Sequence, residues 1–161
     1  MLTRIVRLGD DRFAIDLDDD ERALLVRLVD SLRDMLLEGP SDATRRLFPP
    51  AHANDAKLEA EYRELVGDTI LEKRLADLDV VEASASATEL DEAALTAWLG
   101  AINSMRLVLG TNLDISEDLD VGALTDDDPR LPGLALYQLL TEYLGEIVDA
   151  LAGWDPRRRL L

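Results

Sequence analysis

The chain has 161 residues, of which 47% are apolar, enough for one domain with a buried core. Its 34 acidic residues outnumber 17 basic ones, and the formal net charge of −17 opposes direct contact with nucleic-acid phosphates. The absence of cysteine excludes disulfides, thiolate metal sites, a cysteine nucleophile and any thiol switch in this chain.

Residues 2–17 predict a β-hairpin. Strand-forming residues, among them Ile5, Val6, Phe13 and Ile15, flank the turn Gly9-Asp10-Asp11. Because an isolated hairpin is only marginally stable, we expect it to pack on the rest of the chain.

Residues 18–38 predict the first helix, with Asp18 or Asp19 as its cap and Gly39-Pro40 as its stop. Its leucines recur at intervals of three and four residues. Residues 41–54 form a connector, in which Leu47-Phe48-Pro49-Pro50 is expected to dock an aromatic ring on the core while the prolines prevent a helix.

Residues 55–79 predict a second long helix, and residues 80–88 that follow are expected to form a loop or a frayed helix end. One side of this helix carries Leu58, Tyr62, Leu65, Val66, Ile70 and Leu75. These spacings are typical of an amphipathic helix, although Gly67 weakens its middle.

Residues 88–110 predict the third helix, starting from Thr88 with Asp91 or from Asp91 itself, with Gly110 as its C′ residue. A short turn is expected at Ser116-Glu117-Asp118. Residues 132–151 predict the last helix.

These elements predict a mainly α fold: a single-domain helical bundle of about four long helices with a small N-terminal β-hairpin. We place the domain at residues 1–153. Residues 154–161 are expected to form a flexible C-terminal tail, with Trp154 stapling back on the fold.

No constellation of catalytic residues stands out. The lone histidine, His52, beside two prolines is more typical of a turn than of a base or a ligand, and no helical spacing of histidine and carboxylate indicates a metal site. There is no phosphate-binding glycine loop and no nucleophile elbow. We therefore predict no enzyme activity, no catalytic or metal-binding residue and no cofactor.

Two polar residues interrupt the apolar third helix: Asn103 and Arg106, three apart and so on neighbouring positions. A semi-buried arginine usually needs a carboxylate partner. Glu61 or Glu64 on the second helix are the predicted partners. Such a cluster is either a core-organising ion pair or a polar pocket that receives a partner side chain or small ligand.

The acidic charge is concentrated in the second half of the chain. Residues 75–156 carry 17 acids, with Arg106 and Arg130 as their only bases. Besides keeping the protein soluble, such a surface can meet a basic protein. The candidate acidic interaction face consists of Asp118, Asp120, Asp126, Asp127 and Asp128.

Several stretches resemble a family of actinobacterial domains of unknown function. They are Arg46–Ala51 (RLFPPA), Glu61-Tyr62-Arg63, Trp98-Leu99, Asn103–Gly110 (NSMRLVLG) and Leu136-Tyr137. Genes of that family tend to lie near a Clp protease adaptor and cysteine-synthesis genes. Part of the family is described as oxidative-stress transcriptional regulators that act through a redox-active cysteine pair and contact with a sigma factor. This chain lacks cysteine, so the resemblance implies a protein-binding role without a thiol switch of its own.

We therefore expect a non-enzymatic regulatory or adaptor protein that acts through protein–protein contacts, with a sigma factor as one partner the resemblance implies. The alternatives are a carboxylate-based enzyme or small-ligand binder around Asn103 and Arg106, and a homodimer formed through a leucine-rich helix face. No uninterrupted apolar run reaches the roughly 20 residues that span a bilayer, and the first residues lack the apolar core of a signal peptide. A cytoplasmic location is expected.

Overall fold

A computed structural model describes residues 3–52, 54–116 and 118–153, and over these residues the fold is mainly helical, as predicted. Four long helices accompany a small antiparallel sheet. The elements in chain order are β1 (Ile5–Gly9), β2 (Arg12–Ile15), α1 (Asp19–Leu37), α2 (Ala56–Ser84), β3 (Glu89–Leu90), α3 (Glu92–Asn112) and α4 (Leu131–Leu151), with 3₁₀ turns at Arg45–Leu47 and Val121–Ala123. The predicted tail, including Trp154, lies outside the described residues.

The predicted hairpin is confirmed, and it gains a third strand. β1 pairs antiparallel with β2, with Ile5 opposite Ile15. β2 also pairs with β3, which places Phe13 opposite Leu90. All four side chains are buried, so the sheet packs on the core. Two residues are too few to show strand alternation, and the sequence did not predict β3.

The first two helices differ in how well their ends were predicted. α1 matches its prediction within one residue, with Asp18 accepting a hydrogen bond from the Glu21 amide at 2.8 Å. For residues 80–88 we expected a loop or a frayed helix end, and the loop is wrong for the first half, because α2 continues as regular helix to Ser84. Val81 is buried in the core, and this burial keeps that segment helical.

The predicted start of α3 at Thr88 is wrong, and Asp91, the alternative, is the cap, accepting from the Ala94 amide. The prediction that Gly110 ends α3 is also wrong. The helix runs on to Asn112, and the left-handed residue is Asp114, with φ of 53°. Gly110 permits close packing instead, since a Cβ there would lie 3.1 Å from Cε2 of Tyr137.

Helix α3 is the centre of the bundle, and α2 runs antiparallel beside it. Arg74 of α2 donates to Ser104 of α3, and further along α2, Ser84 accepts from the indole of Trp98 near the start of α3. Buried side chains of α3 fill the core, namely Leu95, Trp98, Ile102, Met105 and Val108.

The sheet lies at one end of the bundle, which we call the sheet end. There the Arg7 guanidinium of β1 donates to the carbonyls of Ala150 and Leu151, both at 2.9 Å, at the C-terminus of α4. The connection between α3 and α4, residues 113–130, lies at the opposite end, which we call the loop end. The C-terminus of α1 and the N-terminal half of α2 also lie there.

The first turns of α2 extend beyond α3. Arg74 is level with Ser104, and the two helices are antiparallel. Counting eight residues from this level, forward along α3 and backward along α2, places Asn112, the last residue of α3, beside Val66. Residues 56–65, which we call the α2 arm, therefore project past the end of α3. No residue of the arm is buried, and Leu65 is 80% exposed.

One described helix, α3, is long and apolar enough to cross a membrane by length and average hydropathy, although no uninterrupted apolar run had indicated this. Half of its most apolar window is buried inside the bundle. The core helix of a soluble protein meets the same test, so this hydropathy does not amount to a clear membrane span.

Candidate functional site: an arginine–tyrosine cluster

Arg106 lies on the side of α3 that faces α4, and its environment is unusual. Its guanidinium carbon is 5.7 Å from the centre of the Tyr137 ring. Its Nε is buried and has no hydrogen-bond partner, the only such side-chain atom in the described part of the chain. A buried hydrogen-bond donor without an acceptor is costly. Among the described residues, this atom therefore indicates most clearly where an acceptor is missing.

A second arginine, Arg46 from the 3₁₀ turn, approaches the same place. A Cβ on Gly110 would lie 3.3 Å from Nη1 of Arg46 and 3.1 Å from Cε2 of Tyr137. The Arg46 guanidinium therefore lies beside the tyrosine ring, in space that Gly110 leaves open. Its one described hydrogen bond is long, 3.4 Å from Nη2 to the carbonyl of Ile115.

The predicted pairing of Arg106 with Glu61 or Glu64 is wrong. Both carboxylates are exposed on the α2 arm, and neither joins an ion pair among the described residues. The antiparallel register explains this, because Arg106 is level with residue 72 of α2. Glu64 lies eight residues earlier, about 12 Å along the helix at 1.5 Å per residue.

Asn103 is half-buried on α3, three residues before Arg106, and makes no described hydrogen bond through its side chain. Of the four residues in the predicted cluster, Asn103 and Arg106 lie together on α3. Arg46 and Tyr137 stand beside Arg106 in place of the two glutamates. Sequence reasoning missed Arg46 because the irregular connector that carries it has no periodicity from which its position could be read.

Arg74 is a half-buried arginine that does have hydrogen-bond partners. It donates to Oγ of Ser104 at 2.8 Å and approaches the carbonyl of Leu47 at 3.5 Å. Burial lowers the pKa of the Arg74 guanidinium, and the charge of Asp77 opposes that shift. Arg106 has no comparable partners.

The five aspartates of the candidate acidic face all lie in the connection at the loop end. Asp120 accepts from the amide of Gly122 at 3.0 Å. Asp128 accepts from the amide and the guanidinium of Arg130. Hydrogen bonds from Arg130 lower the pKa of Asp128, and the Thr125 hydroxyl lowers that of Asp127. Asp118 and Asp126 are exposed without described side-chain bonds, so three of the five aspartates also serve to fold the connection.

His52 is exposed in the connector, where its carbonyl accepts from the Asp55 amide in a turn, and its ring meets Tyr62 edge-on at 6.0 Å. Among the described residues, no three histidine or acidic side chains group closely enough to hold a metal ion. The predicted lack of a metal site and of a cofactor stays a prediction.

A family model described as Domain of unknown function (DUF2017) matches residues 3–151. The chain belongs to this family. Comparisons with curated proteins and with solved structures found no match.

The arginine–tyrosine cluster brings together three of the stretches that resemble the family. Arg46 begins the stretch Arg46–Ala51. Arg106 and Gly110 lie in Asn103–Gly110, and Tyr137 ends Leu136-Tyr137. These stretches are 60 and 27 residues apart in sequence, measured from Arg46 to Arg106 and from Gly110 to Tyr137. In this DUF2017 chain they therefore meet at one site, where the 3₁₀ turn, α3 and α4 converge.

Proposed function

We propose that this DUF2017 chain is a non-enzymatic regulatory or adaptor protein of the cytoplasm that acts by binding another protein. The observation that carries the proposal is the exposure of Leu65, which is 80% accessible on a long, regular helix. Large apolar side chains in such positions mark contact surfaces when they group together.

Most of the large exposed apolar side chains lie toward the loop end. Six large ones are exposed in the described residues, and Leu37, Leu58, Leu65 and Val121 belong to this end. The other two, Leu8 and Val148, lie toward the sheet end. The loop end therefore offers a partner more exposed apolar side chains than the sheet end does.

Exposed acidic residues lie toward the same end. Glu61 and Glu64 are exposed on the α2 arm, and Asp118 and Asp126 are exposed in the connection. A protein with a basic rim around apolar side chains would match both features, whereas a nucleic acid would be repelled by the net charge of −17.

The resemblance to oxidative-stress transcriptional regulators of actinobacteria makes the transcription machinery, and a sigma factor in particular, the first partner to test. With no cysteine in the chain, a redox signal would have to be sensed by the partner. No carboxylate among the described residues pairs with Arg106, which argues against the carboxylate-based enzyme as the function of that site.

Binding of purified sigma factor to the chain, followed by calorimetry, tests the proposal. The double variant Leu58→Ser with Leu65→Ser should weaken binding at least tenfold, since exposed anchors at an interface each contribute about 1 kcal/mol or more. The matched control is Val148→Ser, which removes an exposed apolar side chain from a helix at the sheet end.

Equal binding by the double variant and the control would overturn the α2 arm as the contact surface. If no basic protein of the transcription machinery binds, the regulatory role fails. Light scattering of the free chain distinguishes a homodimer through the same leucines.

A further inference from the structure

We propose that Arg46, Arg106 and Tyr137 form a binding site for a carboxylate. This site is separate from the α2 arm and does not depend on the function proposed above. The inference starts from the buried Nε of Arg106, which has no acceptor among the described residues.

Both arginines approach the ring of Tyr137, and neither has an anionic partner among the described residues. The Arg106 guanidinium lies 5.7 Å from the centre of the Tyr137 ring, and Arg46 reaches the edge of that ring over Gly110. Neither arginine makes an ion pair with a described residue. In a chain with twice as many acids as bases, two guanidiniums near one tyrosine ring, neither paired with a described carboxylate, favour a carboxylate from outside.

The geometry also indicates how a ligand would enter. Arg46 is exposed, and its 3.4 Å contact with the Ile115 carbonyl is weak. Its guanidinium can therefore move aside without losing a strong bond. The carboxylate would then accept hydrogen bonds from both guanidiniums, including the Nε–H of Arg106, while the Tyr137 ring packs against the ligand's carbon atoms.

A carboxylate fits this site better than a phosphate. The cluster lies near Gly110, in the last turn of α3, where the helix dipole is negative. The net charge of the chain is also strongly negative. A singly charged anion is repelled less under these conditions than a doubly charged phosphate.

The test is NMR titration of the arginine Nε–Hε signals in the full chain, with the Arg106 signal assigned by its loss in Arg106→Lys. The probes are sodium acetate and N-acetylglutamate amide, compared with inorganic phosphate and with sodium chloride at matched ionic strength. Both carboxylates should shift the Arg106 signal saturably, in the millimolar range that two charge-assisted hydrogen bonds provide. Binding by the blocked glutamate alone would assign the site to a protein side chain, whereas equal binding of acetate would extend it to free organic acids.

Arg46→Gln removes one exposed cation and should weaken carboxylate binding roughly tenfold or more. The matched control is Arg45→Gln, which makes the same charge change at the neighbouring exposed residue and should alter the affinity less than about twofold. Because Arg46 is exposed, this comparison does not depend on a variant that disturbs the core.

Three results would overturn the proposal. They are a shift that sodium chloride reproduces, an equal loss of affinity in Arg45→Gln and Arg46→Gln, and tighter binding of phosphate than of acetate. Absence of a saturable shift with either carboxylate would do the same.

Discussion

The carboxylate of Asp77 lies in the space that Gly100 leaves by having no side chain. A Cβ added to Gly100 would lie 2.3 Å from Oδ2 of Asp77, far inside van der Waals contact. Asp77 is buried and paired through its other oxygen with Lys73. This contact sets how closely α2 and α3 approach each other.

Gly100→Ala should therefore destabilise the fold, although alanine is the better helix former. We expect a loss of about 1–3 kcal/mol from overpacking, measured by urea unfolding. Gly145→Ala is the matched control, because nothing lies within 4 Å of its added Cβ in α4, and it should raise stability by about 0.5–1 kcal/mol. If both changes stabilise the protein, the contact with Asp77 is not tight.

Arg7 joins the first strand to the end of the last helix. It donates to the carbonyls of Ala150 and Leu151 and lies 4.9 Å from the centre of the Phe13 ring. Because it satisfies two terminal carbonyls with a positive charge, Arg7→Leu should lower the free energy of unfolding by about 1–2 kcal/mol. Arg12→Leu, which breaks only the exposed pair with Glu89, should leave thermal stability nearly unchanged. Similar effects of the two changes would count against this role of Arg7.

Tyr143 makes stability sensitive to alkaline pH. Burial raises the pKa of its phenol, and a hydrogen bond to the Glu21 carboxylate adds to the shift. The unfolded chain loses the phenol proton near pH 10, whereas the folded protein retains it. Stability is therefore unaffected by this group below about pH 10 and falls as pH rises above it.

Tyr143→Phe tests this dependence. The variant should be less stable at pH 7, because the Glu21 carboxylate loses a donor, yet its stability should fall less steeply above pH 10. Denaturant unfolding at several pH values measures both effects. An unchanged alkaline slope would show that other groups determine it.

Arg22 of α1 connects the end of β2 and the residues after it with the turn between α2 and β3, through four backbone carbonyls. Its guanidinium donates to Ile15 and Leu17 on one side and to Ala85 and Ala87 on the other. Arg22→Leu removes every donor and should cost about 2–4 kcal/mol, because partly buried carbonyls lose their partners. Arg27→Leu, on an exposed position of the same helix, is the control and should change stability by less than about 0.5 kcal/mol. Thermal unfolding of the two variants distinguishes them.

The helices could be predicted because each begins or ends with a local signal. Asp18 caps α1 and Asp91 caps α3, and both carboxylates accept from the amide three residues later. Where the prediction was wrong, tertiary contacts decided the outcome. Burial of Val81 extends α2 past its predicted end, and pairing with β2 turns Glu89 and Leu90 into a strand.

Only part of the candidate site could be predicted from the sequence, again because tertiary contacts decide the rest. Arg106 could be found because a charged residue interrupts an apolar helix. Its neighbours could not, since they come from the connector before α2 and from α4. Glu61 and Glu64 were the natural partners by charge, but the helix register that separates them from Arg106 is set by packing contacts such as Asp77 with Gly100.

The bonds from Arg7 to Ala150 and Leu151 connect residues 143 and 144 positions apart. During synthesis the first strand therefore leaves the ribosome long before the helix it caps. The side of β1 that packs against α4 therefore stays uncovered until α4 has been synthesised. Completion of this fold is thus late, and a nascent chain arrested before residue 150 should be recognised by chaperones and proteases as unfinished.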